Sequence, residues 1–260
     1  MDFMTLFGVP FFSGNMEQAR ELVLKHADFS GKPVFIVFTP NPEQIELAQK
    51  NTQFLKDLQA SDLNVPDGVG VIWAGDQLHL EHAPTKRIAG RELVMALLPD
   101  LNKKKKSVFV LGGFGDTAQL AAVELKKQFP ELTLEWSSGS TDLQHETPDR
   151  LNEVMQKIRA AKPNLLLVAY GAPKQERWVM EHRDELAQAG VKVAMVVGGT
   201  LDVLAGKVRA TPDLFAHSNL EWAWRLIQQP WRLKRQLALL SFYNRVLEEK
   251  FRASRVPSSN

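Results

Sequence analysis

The sequence predicts an α/β fold: a mostly parallel sheet flanked by helices, followed by a helical C-terminal appendage. Three observations carry that expectation. First, four short apolar runs stop abruptly in loops that carry glycine or proline beside polar groups. Val34–Phe38 stops at Thr39-Pro40-Asn41-Pro42-Glu43, and Val108–Leu111 stops at Gly112-Gly113-Phe114-Gly115-Asp116. Leu165–Ala169 stops at Tyr170-Gly171-Ala172-Pro173-Lys174-Gln175-Glu176, and Val193–Val197 stops at Gly198-Gly199-Thr200-Leu201-Asp202. Second, strand patterns near 107–112, 132–136, 164–169 and 192–197 alternate with helical patterns near 116–128, 147–161 and 174–188. Strands alternating with helices of that length argue for βαβ units and a parallel sheet. Third, the chain reads as helical after Pro212, with Pro230 dividing two segments.

The first hundred residues add a strand at 33–39 and a long helix from Pro42 to about Ala60, entered through Asn41-Pro42. A further helix is expected after Gly90, where Arg91–Leu98 has helical apolar spacing. The Lys103–Lys106 run reads as a solvated loop before a strand. No repeat or low-complexity linker divides the chain, so the expectation is a Rossmann-like core over 1–211 and an appendage over 212–260.

Composition narrows the function classes. A chain of 260 residues with 44% hydrophobic and 24% charged residues can bury a large soluble core. The lack of cysteine removes disulfide scaffolds, thiolate nucleophiles and cysteine-rich zinc sites. An acid at Asp2 and no basic residue before Arg20 predict no secretory signal, and no apolar stretch reaches the roughly 18 residues of a membrane-spanning helix. The expected location is therefore cytoplasmic. Charge is unevenly spread: Glu221–Arg255 holds eight basic residues against three acids, leaving −3 for the rest of a chain whose net charge is +2. The same segment holds Trp222, Trp224 and Trp231, half of the six tryptophans. Such asymmetry predicts that this end meets an anionic partner.

In open α/β sheets ligands bind outside the carboxyl ends of the strands, so the four loops should converge on one crevice. Candidate ligand-binding residues on them are Thr39, Asn41, Gly112, Gly113, Gln175, Glu176, Gly198, Gly199 and Asp202. Each has a blander reading. Gln175 and Glu176 could merely cap a helix opened by Pro173, and Asp202 suits any first helical turn. Gly113–Ala118 fits the dinucleotide fingerprint between a strand and a helix, with Glu135 placed 20 residues after Gly115 for a ribose. That fingerprint argues for a nicotinamide-type oxidoreductase, although it lies in mid-chain instead of opening the domain. Glycine turns at strand ends also serve close packing alone. Pro66-Asp67-Gly68 is a turn signal ahead of Val69–Gly75, which would put Asp67 at the mouth of a helix. A carboxylate held there can stay ionised, as a general base requires. His79 and His82 flank Glu81 without a third ligand, and no Asp-x-Asp pair occurs to hold a divalent ion on a nucleotide diphosphate, so no metal is expected.

Thr39-x-Asn41-Pro42-Glu43, Pro66-Asp67-Gly68, Arg87-x-x-Gly90, Gly171–Glu176, Val197-Gly198-Gly199-x-x-Asp202-x-x-x-Gly206, Arg209-Ala210 and Leu220-Glu221-Trp222-x-x-Arg225-Leu226 occur in that order. Together they resemble the bacterial WecG/TagA/CpsF glycosyltransferase family from about Phe7 to Arg235. The resemblance implies an inverting, metal-independent hexosyltransferase without a cofactor. Its donor would be a UDP-sugar, UDP-N-acetylmannosamine or the uronic acid, and its acceptor a polyprenyl-diphosphate-linked N-acetylglucosamine. The products belong to teichoic acids and other surface polysaccharides. The resemblance further implies Asp67 as base, with Thr39, Asn41, Arg87 and Gln175 lining the pocket. The basic appendage would close the site and touch the inner face of the cytoplasmic membrane through Trp222, Arg225, Trp231, Arg232 and Arg235. No nucleic-acid partner is expected, and self-association is left open. A nucleotide-sensing, membrane-surface module without turnover is the non-enzyme alternative.

Overall fold

A computed structural model describes residues 2–29, 31, 33–140, 142–208, 233–253 and 255. Six strands form one sheet: β3 (Phe35–Phe38), β4 (Leu63–Asn64), β5 (Ser107–Gly112), β6 (Thr133–Ser137), β7 (Leu165–Ala169) and β8 (Val193–Val196). The spatial order is β4-β3-β8-β7-β5-β6, and every paired neighbour runs parallel. A separate antiparallel hairpin, β1 (Phe3–Leu6) and β2 (Val9–Phe12), precedes it and turns through Phe7 and Gly8. Both turn residues have positive φ, at 49° and 80°, which suits a two-residue hairpin turn.

Strands β3, β5, β7 and β8 are buried almost without interruption because helices cover both faces of the sheet. Alternate residues therefore enter different cores. Ile36, Phe38, Phe109, Leu111, Leu166, Val168, Ala194 and Val196 join one core, while Phe35, Val37, Val108, Val110, Leu165, Leu167, Val193 and Met195 join the other. The first core is covered by α2 (Pro42–Lys50), α3 (Thr52–Gln59), α4 (Val69–Gln77), α7 (Pro148–Ala161), α8 (Lys174–Glu181) and α9 (Arg183–Gln188). Covering the second are α1 (Met16–Asp28), α5 (Gly90–Lys103), α6 (Thr117–Gln128) and α10 (Thr200–Leu204).

The expected alternation holds, with local differences. The single helix expected over 42–60 breaks at Asn51, whose side chain accepts the Phe54 N–H at 3.0 Å and starts α3. The helix expected over 174–188 breaks at His182. The lysine run is not simply solvated: Lys104 and Lys106 reach Asp28 at 2.5 and 2.9 Å, and Lys105 reaches Glu131 at 3.4 Å. Of the expected appendage, residues 212–232 lie outside the described residues. Residues 254 and 256–260 lie outside them too, and the described part includes one helix, α11 (Leu233–Ala253), packed on α2 and α4. It seats Phe242 and Val246, both fully buried, in the first core. Burying a side chain of that size contributes roughly 1.5–3 kcal/mol, so α11 is anchored by packing as well as by charge.

Candidate active site

Strands β3 and β8 are neighbours, yet the chain leaves them in opposite directions. After β3 it enters α2, over the first core; after β8 it enters α10, over the second. A crevice opens where such connections diverge. Here it is a cavity of about 420 Å³. Thr39 and Asn41 enter it from the end of β3, Gly171 and Ala172 from β7, and Val197, Gly198 and Gly199 from β8. Gln175 comes from α8, Asp67 from the turn before α4, and Ala238 from α11.

Local sequence explains the placement of Asp67. Its backbone N–H donates to Pro40 O at 3.2 Å, and the Pro66 carbonyl accepts from Ile88 N–H at 2.9 Å, so the turn is sewn between β3 and α5. The carboxylate Oδ2 accepts the N–H of Gly90, the first residue of α5, at 3.4 Å. Asp67 thus stands at a helix start as the sequence suggests, although the helix whose N–H it takes is α5 and not the adjacent α4. Gly90 lets the Thr39 side chain pack close against it: a Cβ there would meet Thr39 Cγ2 at 2.9 Å. The positive end of α5 favours the ionised form of a nearby carboxylate.

Asn41 and Gln175 line the cavity with part of their hydrogen-bonding capacity committed. Asn41 caps α2 by accepting Gln44 N–H at 3.0 Å, and the Gln44 side chain returns the bond to Asn41 N–H, also at 3.0 Å. Gln175 Oε1 accepts the Gly171 N–H at 3.2 Å, which fixes the loop after β7. Glu176 lies behind the wall, buried. Arg87 is not among the lining residues; its guanidinium reaches Glu92 at 3.4 Å, and Arg91 borders the cavity instead. Asp202 occupies the first turn of α10, where its carbonyl accepts from Lys207 and Val208 N–H. Trp222, Arg225, Trp231 and Arg232 lie outside the described residues, as does the side chain of Arg235.

The fingerprint loop has a different setting. Gly113 N–H donates to Ala169 O at 2.8 Å, and neither Gly112 nor Gly113 is among the residues bordering this cavity. At the start of α6, Lys207 pairs with Asp116 at 2.5 Å and donates to Thr117 Oγ1 at 2.9 Å. Glu135 is exposed on the edge strand β6.

Sequence reasoning missed Gln44, Glu46, Lys50 and Arg91, which also border the cavity. Gln44 had a signal, since Asn41-x-x-Gln44 is a capping box. Glu46 is 1% exposed, and its carboxylate is gripped by Arg245 at 2.5 Å and by Ser241 Oγ at 2.9 Å, both on α11. Burial pushes its pKa up, but the bonds from Arg245 and Ser241 outweigh burial and leave it below the ordinary value. Glu176 is the opposite case: burial pushes its carboxyl up to about 7, against the Gln175 hydrogen bond and with help from Asp57.

A cleft at a parallel-sheet switch point, lined by the Asp67 carboxylate and by Arg91 and Lys50, is where an open α/β fold binds its ligands. The model of the Glycosyl transferase WecG/TagA/CpsF family matches residues 4–256. The chain is 30% identical over 247 residues to the N-acetylglucosaminyldiphosphoundecaprenol N-acetyl-beta-D-mannosaminyltransferase of Bacillus subtilis (strain 168), covering 95% of this chain and 91% of the relative. To the enzyme of the same name from Staphylococcus aureus (strain MRSA252) it is 31% identical over 246 residues, covering 94% and 92%. The chain belongs to the WecG/TagA/CpsF family and is a glycosyltransferase, which decides against the oxidoreductase built on Gly113–Ala118.

Proposed function

We propose that this enzyme transfers a hexosyl unit, N-acetylmannosamine or its uronic acid, from a UDP-sugar to a polyprenyl-diphosphate-linked N-acetylglucosamine in surface-polysaccharide synthesis. The observation that carries the reading is Asp67 in the cleft, held at the start of α5 and lining the same cavity as the glycine loop of β8. Asp67 takes the proton of the acceptor hydroxyl as that oxygen attacks the anomeric carbon from the side opposite UDP. A single displacement with one base inverts the anomeric centre. The leaving diphosphate needs positive charge or N–H dipoles, and Arg91, Lys50 and the backbone at Gly198–Thr200 border the space where it would sit. The sequence contains no Asp-x-Asp, so the proposed transfer proceeds without a metal ion.

We further propose the division into a core over 1–211 and an appendage over 212–260 whose cations and aromatic groups meet the inner membrane face, where a lipid-linked acceptor resides. Among the described residues no helix is long and apolar enough to cross a membrane. A surface attachment fits that finding, each Lys or Arg contributing roughly 1 kcal/mol at an anionic bilayer. The test is purified protein incubated with a panel of UDP-sugars, a short-chain lipid-linked acceptor and EDTA. One UDP-N-acetylmannosamine-type donor should turn over with inverted anomeric configuration and an undiminished rate in chelator. Retention of configuration, a magnesium requirement, or UDP binding without turnover would each overturn the corresponding part of the reading.

A further inference from the structure

Glu176 has no place in the displacement just described, yet it joins two residues of the cleft wall. Its Oε1 accepts Gln175 Nε2 at 2.9 Å and Gln44 Nε2 at 3.2 Å. Its Oε2 is buried with no hydrogen-bond partner. Gln175 enters the wall from α8 and Gln44 from α2, so one carboxyl ties together elements that follow two different strands. The carbonyl ends of both carboxamides are occupied, by Gly171 N–H and Asn41 N–H respectively. A carboxamide nitrogen carries two hydrogens. With one on Glu176, each has a second to offer.

We propose that Glu176 is a positioning residue: it orients the Gln44 and Gln175 carboxamides so that their remaining N–H groups meet the diphosphate oxygens of the sugar donor. This rests on the nucleotide-sugar reading above and adds a device for regulating donor affinity. Ionisation would place a negative charge behind a wall that receives an anion, so the neutral acid is the form that favours donor. The charges around it do not cancel that effect. Asp57 on α3 raises the carboxyl further and is itself held by Gln53 and Arg177, while Glu46 on α2 is closed by Arg245 and Ser241. From the strand ends come Gly171 and Gly198, which carry no charge. Because burial already lifts Glu176 to about 7, the switch between forms falls near neutrality.

The experiment is donor KM and kcat between pH 6 and pH 8 for wild type, Glu176→Gln and Glu176→Ala. Wild-type donor KM should climb as pH rises, by up to about tenfold for a group titrating near 7 whose ionised form binds poorly. Glu176→Gln offers an amide oxygen to the same two N–H groups and cannot ionise, so its KM should stay flat. Glu176→Ala should raise KM at pH 6 by about tenfold, the effect of a hydrogen bond or two to an anion, with a smaller change in kcat. A thermal scan gives a readout independent of donor. The folded carboxyl holds its proton more tightly than the unfolded one, so wild type should lose stability relative to Glu176→Gln as pH rises from about 4.5 to about 7 and hold that deficit above it. A Glu176→Gln variant whose KM follows the wild-type pH trend would overturn the proposal, as would wild-type donor KM in a folded Glu176→Ala variant. Failure of wild type to use any UDP-sugar at any pH would instead overturn the donor reading, and this proposal with it.

Discussion

The two walls of the cleft are made of different materials. One, from β3, the Asp67 turn and α2, presents side chains: Asn41, Gln44, Glu46 and Asp67. The other, from the ends of β7 and β8, presents backbone at Gly171, Gly198 and Gly199. Side chains on the first wall are held by partners, including Gly90 N–H for Asp67 and Arg245 for Glu46. Residues on the second wall are small, leaving room for a ligand to approach backbone N–H groups. Proton transfer needs a defined atom in a defined ionisation state, whereas binding of a bulky anion needs space and dipoles. The proposed function would divide these tasks between the walls, and the sheet order brings a helix start and two glycine loops to one switch point.

The comparison breaks most sharply at Asp67. Asp67→Asn keeps shape and the hydrogen bond from Gly90 but removes the proton acceptor. Transfer should fall about 10²–10⁴-fold, the usual contribution of a positioned base. UDP affinity should change little, because the proposed diphosphate contacts at Gln44, Gln175, Lys50, Arg91 and Gly198–Thr200 stay in place. An Asn variant with wild-type turnover would remove the catalytic role from the side-chain wall altogether.

The next effect concerns what keeps that wall rigid. Arg245→Ala leaves the Glu46 carboxylate buried without its cation, which costs about 3 kcal/mol, the low end for breaking a buried pair because Arg245 is itself partly exposed. Glu46 has a depressed pKa, so the pairing contributes stability above the unfolded value of 4.5 and loses it as pH falls through the lower folded value. Urea unfolding should therefore show the wild-type advantage over Arg245→Ala at pH 7 and its loss in acid. An equal gap at both pH values would mean that lost packing, not lost charge pairing, carries the effect.

How much of this was legible in the sequence follows the same divide. The glycine wall was visible because apolar runs ending in Gly198-Gly199 and Tyr170-Gly171 have short-range signatures, and so was Asp67 in Pro66-Asp67-Gly68. Glu46 was not, because its meaning depends on Arg245, 199 residues away, docking through α11. Arg91 was hidden by a neighbour: Arg87 stands in the more distinctive motif, but Arg91, on the first turn of α5, is the one that borders the cavity, while Arg87, before the helix, reaches Glu92. The first strands escaped notice because the hairpin turns through Phe7-Gly8 and lacks the usual Asn-Gly or Asp-Gly signal. Gly112-Gly113 shows the converse. Its spacing fits a dinucleotide loop, yet both glycines are needed for packing: a Cβ on Gly112 would meet Ala169 O at 2.9 Å, and one on Gly113 would meet Thr117 Cβ at 2.7 Å.

The smallest expected effects test the glycine wall itself. Gly198 has φ of 47°, in the left-handed region, whereas Gly199 is an ordinary helical residue with φ of −66°. An added Cβ on Gly199 meets nothing within 4 Å. Gly198→Ala should therefore cost about 1–2 kcal/mol of stability through backbone strain alone. Gly199→Ala should cost under about 0.5 kcal/mol, since alanine tolerates helical backbone better than glycine does. Its consequence should appear in binding instead, because the methyl group occupies space beside the cavity. Donor KM should rise by about threefold, within the range for a small steric change in a pocket, with kcat and Tm close to wild type. Reversal of the pair, with Gly199→Ala unstable and Gly198→Ala altered only in KM, would show that the second wall works by backbone conformation and not by open space.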